Sequence, residues 1–180
     1  MTAWRSSGHR GDALEDLILL SNEYYRKHKL GRIDKVSTPI KVVEINKEGL
    51  ICKGFFEKRS TVDFHGLVQG LGIVFDAKET NLKSIPLSNI HEHQMEYMKD
   101  ITEQGGMAFL IVHFKFCDAY FLLPYEDLEV YFSESRQGAR KSIPYKAMDD
   151  RFKIHRASNG ILNYLPLLNV YLDYKKELKR

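Results

Sequence analysis

Cysteine is scarce in this 180-residue chain. Its two residues, Cys52 and Cys117, lie far apart and fit no Cys-x-x-Cys or Cys/His ligand spacing, which excludes a disulfide scaffold and a zinc site. Both are expected to be reduced thiols in the core. Long apolar runs are missing too: none reaches the ~18 residues of a membrane span, and residues 1–10 carry no apolar stretch of a secretory signal. A soluble, cytoplasmic protein with no membrane partner is expected. No segment repeats and none is low in complexity, so nothing marks a linker, and residues 1–180 read as one domain. Charge of a single sign is also absent, because 27 Lys and Arg stand against 24 Asp and Glu for a net +3. That balance names no nucleic-acid partner, which would need the basic residues gathered on one face. Core material is plentiful: 43% hydrophobic and 12% aromatic residues exclude disorder as the main state.

Hydrophobic periodicity orders the elements. Asp12 is a good N-cap, and Leu14, Leu17, Ile18, Tyr24 and Tyr25 follow at helical spacing until about Gly31. From Ile33 the pattern becomes that of strands. Ile40, Val42 and Val43 lead into Asn46-Lys47-Glu48-Gly49, and residues 50–56 run back, which predicts a hairpin over 40–56. Gly66, Gly70 and Gly72 read as tight turns before a short strand at 73–78. Residues 81–89, with Pro86, read as a loop, and Ile90, Tyr97, Met98 and Ile101 mark a second helix ended by Gly105-Gly106. Strands are predicted at 107–114 and 119–123, a helix over 125–132 behind Pro124, a basic loop at 136–141, and a last helix over 164–178 with Pro166 at its start. This alternation is that of a single α/β unit.

The stretch Val74-Phe75-Asp76-Ala77-Lys78 carries the most chemistry, because alternation along a strand puts Asp76 and Lys78 on one face. Asp63 should begin the neighbouring antiparallel strand, so two carboxylates could converge beside one lysine. Converged carboxylates repel unless a cation lies between them, and hard oxygen donors with open positions suit Mg²⁺. Such an ion acidifies a bound water and neutralises charge on a phosphate, the chemistry of phosphodiester hydrolysis. Asp-x-Lys alone is also a common surface pair, worth ~0.2–1 kcal/mol. Gln94 falls on the apolar stripe of the second helix, where it is either a core amide satisfied by backbone or part of the site. Glu15 either completes a capping box with Asp12 or faces the site. His91 and His93 are expected to be solvated and on different helix faces. Arg10, Arg32, Lys35, Lys58, Arg59, Arg136, Arg140 and Lys141 gather in loops and element ends, where they could hold phosphates. Phe64, Tyr120 and Tyr131 are expected in the core.

The sequence resembles the RecU-type Holliday-junction resolvases of the PD-(D/E)xK nuclease superfamily. The likeness runs through Arg10-Gly11, Leu14-Glu15, Asn22-Glu23-Tyr24-Tyr25, Thr38-Pro39-Ile40, Ser60-Thr61-Val62-Asp63-Phe64, Phe75-Asp76-Ala77-Lys78-Glu79-Thr80, Pro86-Leu87, His91-Glu92-His93-Gln94, Gly105-Gly106 and Arg140-Lys141-Ser142-Ile143-Pro144. It implies a restriction-endonuclease-like mixed sheet flanked by helices, with the 40–56 hairpin as a protruding stalk that enters the junction. It implies Asp63 and Asp76 as ligands of Mg²⁺ or Mn²⁺, Lys78 as the catalytic lysine, Thr61 near the metal, Gln94 on the active-site face, and Glu15 at the acidic position of the first helix. It also implies a homodimer that cuts two opposing strands of four-way junction DNA in recombination and repair, leaving 5′-phosphate ends. A nucleoid-associated protein that meets a recombinase or branch-migration machinery would follow. Aspartate stands at 76 where the family often has glutamate. The stalk is shorter, with Lys47 near its tip, and no long basic leader precedes residues 1–10, from which weaker non-specific DNA binding is expected. Two other readings are a superfamily nuclease acting on another DNA substrate and a junction-binding modulator of recombination.

Overall fold

The computed structural model describes residues 13–57 and 61–179. In chain order the elements are α1 (Ala13–Lys27), β1 (Arg32–Lys35), β2 (Ile40–Ile45), β3 (Ile51–Phe56), β4 (Phe64–Val68), β5 (Leu71–Thr80), β6 (Ser84–Pro86), α2 (Glu92–Glu103), β7 (Met107–Phe114), β8 (Ala119–Pro124), α3 (Tyr125–Arg136), β9 (Ser142–Pro144), β10 (Lys153–Ile154) and α4 (Leu167–Leu178). A six-stranded sheet in the order β1-β4-β5-β7-β8-β10 forms the centre. β5 and β7 are parallel and the other neighbours antiparallel, so the single α/β domain with a mixed sheet is as expected.

Side-chain alternation gives the sheet two buried faces. Phe64, Phe75 and Phe109 stand opposite one another on three adjacent strands. Their rings stack at 4.9 Å in each pair, under a layer formed by α1 and α4. Val74, Leu110 and Val112 point the other way, into a layer with α2 and α3. Burial on both faces explains the near-continuous apolar runs of β7 and β8. The loop before α4 is tied to α1 by polar bonds in the core. The Tyr25 hydroxyl donates to the Leu162 carbonyl at 2.5 Å and accepts from the Tyr164 amide at 3.1 Å. The Leu162 amide donates to Ser21 Oγ at 2.9 Å.

The 40–56 hairpin stands apart from the central sheet, and all its strand residues are exposed. Its turn is built by Asn46, whose Oδ1 accepts from the amides of Glu48 at 3.1 Å and Leu50 at 2.8 Å. Cys52 lies on this hairpin and Cys117 in the bend after β7; both are free and exposed. The expectation that both are core thiols therefore fails, since neither position faces a layer.

Other elements also differ from the sequence reading. Gly70 does make a turn, with Gln69 and Gly70 both at positive φ, but Gly66 lies inside β4. A Cβ there would come within 2.4 Å of the Arg32 carbonyl oxygen, so glycine is needed for strand approach and not for a turn. Residues 81–89 are not wholly loop: β6 pairs with β9 in a separate two-stranded sheet. The third helix continues to Arg136, one turn beyond 132, and takes that basic residue out of the loop. Tyr120 and Phe64 are core residues and Tyr131 packs at the edge of the core.

Candidate active site

β4 and β5 bring the two acids together. Phe64 is opposite Phe75, so Asp63 lies one step before β4, beside Asp76. Two reciprocal hydrogen bonds fix the pair: the Asp63 amide donates to Asp76 Oδ1 at 3.2 Å, and the Ala77 amide donates to Asp63 Oδ2 at 2.9 Å. The Val36 amide donates to the Asp63 carbonyl at 2.8 Å, which ties the same residue to the edge of the sheet.

Asp76 is fully buried. The Lys78 ammonium ion-pairs with its Oδ2, an oxygen that takes no hydrogen bond. On the other side Gln94 Nε2 donates to Asp76 Oδ1 at 2.9 Å. The Gln94 amide oxygen accepts from the His91 amide at 3.0 Å, so one side chain both closes the first turn of α2 and holds the buried carboxylate. Gln94 thus meets a backbone amide and the Asp76 carboxylate at once. Burial, followed by the charge of Asp76, pushes the Asp63 carboxyl up to about 6, against the opposing Ala77 amide and Lys78 ammonium. Like-charged carboxylates held together by backbone bonds are a site that a cation would relax.

Thr61 is half-buried two residues before Asp63. The Glu15 carboxylate pairs with Lys35, on the edge strand whose next residue, Val36, bonds Asp63, while α1 covers the sheet face of Phe75 and Ala77. Among the described residues no group of three or more His, Cys, Asp and Glu side chains is placed to hold a metal, so a metal here would rest on the two aspartates with neutral oxygens.

The candidate basic residues fall on several elements. Arg32 and Lys35 lie on the edge strand β1, Arg32 paired with Asp34 at 2.7 Å. Lys47 is at the hairpin turn, Arg136 pairs with Glu92 at 2.9 Å, and Arg140 Nε donates to Ser142 Oγ at 2.9 Å. Lys141 is exposed. Arg10, Lys58 and Arg59 lie outside the described residues, as does Asp12. His91 and His93 do share a face. His91 is the extended N-cap of α2 and not a helical residue, so its ring stacks on that of His93 with centroids 5.4 Å apart. The sequence reading missed Lys83 and the β6–β9 sheet beside it. A signal was present, since Ser-Ile-Pro occurs at both 84–86 and 142–144, and the two copies are the paired strands.

The family model described as Recombination protein U (RecU) matches residues 9–170. The chain is 37% identical over 172 residues to a protein named Holliday junction resolvase RecU from Pediococcus pentosaceus, covering 92% of this chain and 86% of that one. Similar proteins of the same name occur in Staphylococcus carnosus, 39% identical over 90% of this chain and 81% of the other, and in Staphylococcus aureus, 41% identical over 76% and 68%.

Proposed function

The chain belongs to the RecU family, and from that premise we propose that it is a structure-specific endonuclease that resolves Holliday junctions in recombination and repair. The observation that carries this reading is the braced pair Asp63–Asp76 with the Lys78 ammonium on the same strand face. The relatives' names supply the four-way junction as substrate.

The donor set fits a divalent ion. Asp63 and Asp76 offer hard oxygens, the Lys78 ammonium already holds a positive charge against Asp76 Oδ2 where an ion would bind, and burial with charge repulsion raises Asp63. Asp63 and Asp76 would hold Mg²⁺ or Mn²⁺, with Thr61 and Gln94 at its margin; Gln94 would have to turn its amide oxygen away from His91 to ligate. Glu15 would join only if its pair with Lys35 opened. A bound ion would supply Lewis-acid polarisation of the scissile phosphate and a water of lowered pKa. Lys78 contributes a positive charge at the face where the phosphate must lie, stabilising charge on the phosphoryl oxygens and orienting the attacking water. With its amide as found, Gln94 keeps Asp76 in one orientation. Attack in line with the 3′-oxygen leaves 5′-phosphate ends.

A near-twofold junction is answered by two symmetric sites, so the working form is a homodimer, with a recombinase or branch-migration machinery as further partner in the nucleoid. The exposed 40–56 hairpin is the stalk that enters the junction. Arg32, Lys35, Lys47, Arg140 and Lys141, with Arg10, Lys58 and Arg59, contact phosphates. No helix among the described residues is long and apolar enough to cross a membrane. The Asp76→Asn variant tests the site: it should bind a synthetic four-way junction as wild type does but fail to cut it with Mg²⁺, and retained cutting would remove the metal-site assignment.

A further inference from the structure

The segment that leaves the candidate site and returns to it, from Thr80 to Gln94, carries one lysine, one glutamate and two histidines. Its ends are both anchored: Thr80 closes β5 opposite Phe114 of β7, and Gln94 donates to Asp76. Between Asp76 and Gln94 the only acids are Glu79 and Glu92. Glu79 pairs with Lys115 and Glu92 with Arg136, so both carboxylates are turned to cations outside the segment. Lys83 is exposed and makes no ion pair among the described residues, and His91 and His93 present a stacked pair of imidazoles.

The small sheet adds two cations from a distant stretch of sequence. Pairing of Ser84–Pro86 with Ser142–Pro144 is extended by two backbone bonds, Tyr145 amide to Lys83 carbonyl at 3.0 Å and Leu87 amide to Lys141 carbonyl at 3.1 Å. Arg140 and Lys141 are thereby carried to the strand that leads to His91. They too make no ion pair among the described residues. Antiparallel pairing thus sets Lys83 at one end of the small sheet and Lys141, with Arg140, at the other, the end that leads to the stacked imidazoles, and none of the three cations has a carboxylate partner among the described residues. Imidazole offers an N–H donor in either protonation state, and lysine and arginine bind phosphate as charges or forks.

We infer that Lys83, His91 and His93 join Arg140 and Lys141 in a seat for the phosphodiester backbone of the strand being cut, with the β6–β9 sheet setting its position relative to Asp76. The seat rests on the nuclease reading and extends it to Lys83, His91 and His93. Its chemistry is that of phosphate binding, which positions the nucleic acid without reading its sequence. Removing one cation from the seat should flatten the log–log salt dependence of binding by about 1.

The test measures affinity for a synthetic four-way junction across a salt series in the Asp76→Asn background. Lys83→Gln should weaken binding severalfold and flatten the slope by about 1, and adding His91→Asn with His93→Gln should weaken binding further without changing the slope. Lys176→Gln, an equal charge change at an exposed residue of α4 paired with Asp173, should leave both unchanged. Far-ultraviolet circular dichroism verifies that the variants are folded. If the unsubstituted protein binds and cuts the junction while the seat variants match it in affinity and slope, the seat is overturned and the nuclease reading stands. If the unsubstituted protein neither binds nor cuts DNA, both fall.

Discussion

Gln94 is the residue on which the candidate site turns, because its two hydrogen bonds join a helix terminus to a buried carboxylate. Gln94→Leu leaves Asp76 Oδ1 short of a donor and the His91 amide without its side-chain acceptor. A decrease of about 1–3 kcal/mol in denaturant unfolding is expected, together with a large fall in cleavage rate. Gln94→Glu places a third carboxylate against Asp76, so its stability at neutral pH should fall further than that of Gln94→Leu and recover on acidification. Asp63 gives a second prediction for the metal-free protein. Its folded-state value is raised from 3.8 to about 6, so the protonated form is favoured on folding. The associated stability is present below the unfolded value and is lost as pH rises from about 4 to 6. Partial solvent screening brings the expected size to roughly 2 kcal/mol. Urea midpoints measured with a chelator should decline over that window in the wild type and stay flatter in Asp63→Asn. Asp76 and Lys78 could be read from strand alternation, and Asp63 from its place before the partner strand. The split duty of Gln94 could not, because it depends on where the first turn of α2 sits against β5.

At the level of elements, strands and helices with strong periodicity were legible: α1, the 40–56 hairpin, β7, β8 and α4 all lie where the pattern puts them. What escaped were features set by the meeting of distant segments. Gly66 looks like a turn glycine in sequence, yet it is required by the approach of β1. Gly66→Ala should therefore overpack the β1–β4 contact and cost about 1–3 kcal/mol, whereas Gly72→Ala, with open space around it, should cost far less; thermal denaturation compares the two directly. The β6–β9 pair was hidden because three-residue strands carry too little periodicity to register, even when the tripeptide repeats. The hairpin makes an element-scale prediction of its own. Its strand residues are exposed, including Ile40, Val43, Ile51 and Phe56, so it contributes little to the core. Replacing 41–55 by a short glycine-containing turn should leave the unfolding midpoint nearly unchanged while narrowing the ratio of junction to linear-duplex cleavage.

For the whole molecule, a net charge of +3 is mild for a nuclease, and the arrangement of charge resolves the discrepancy. Asp63 and Asp76 are acids that a metal would neutralise, while Glu79, Glu92 and Asp34 are paired with cations. Lys83, Arg140 and Lys141 have no carboxylate partner among the described residues. Under the proposed function, the one centre carried by each chain is matched by that of a second copy on the opposing strand. The most direct measurement is cleavage of a mobile four-way junction with Mg²⁺, with nicks mapped on all four strands and a linear duplex of the same sequence as comparison. Paired nicks at symmetric positions on two opposing strands, absent with chelator and much slower on the duplex, are the predicted result. Equal rates on junction and duplex, or nicking of a single strand without its opposite, would contradict the account.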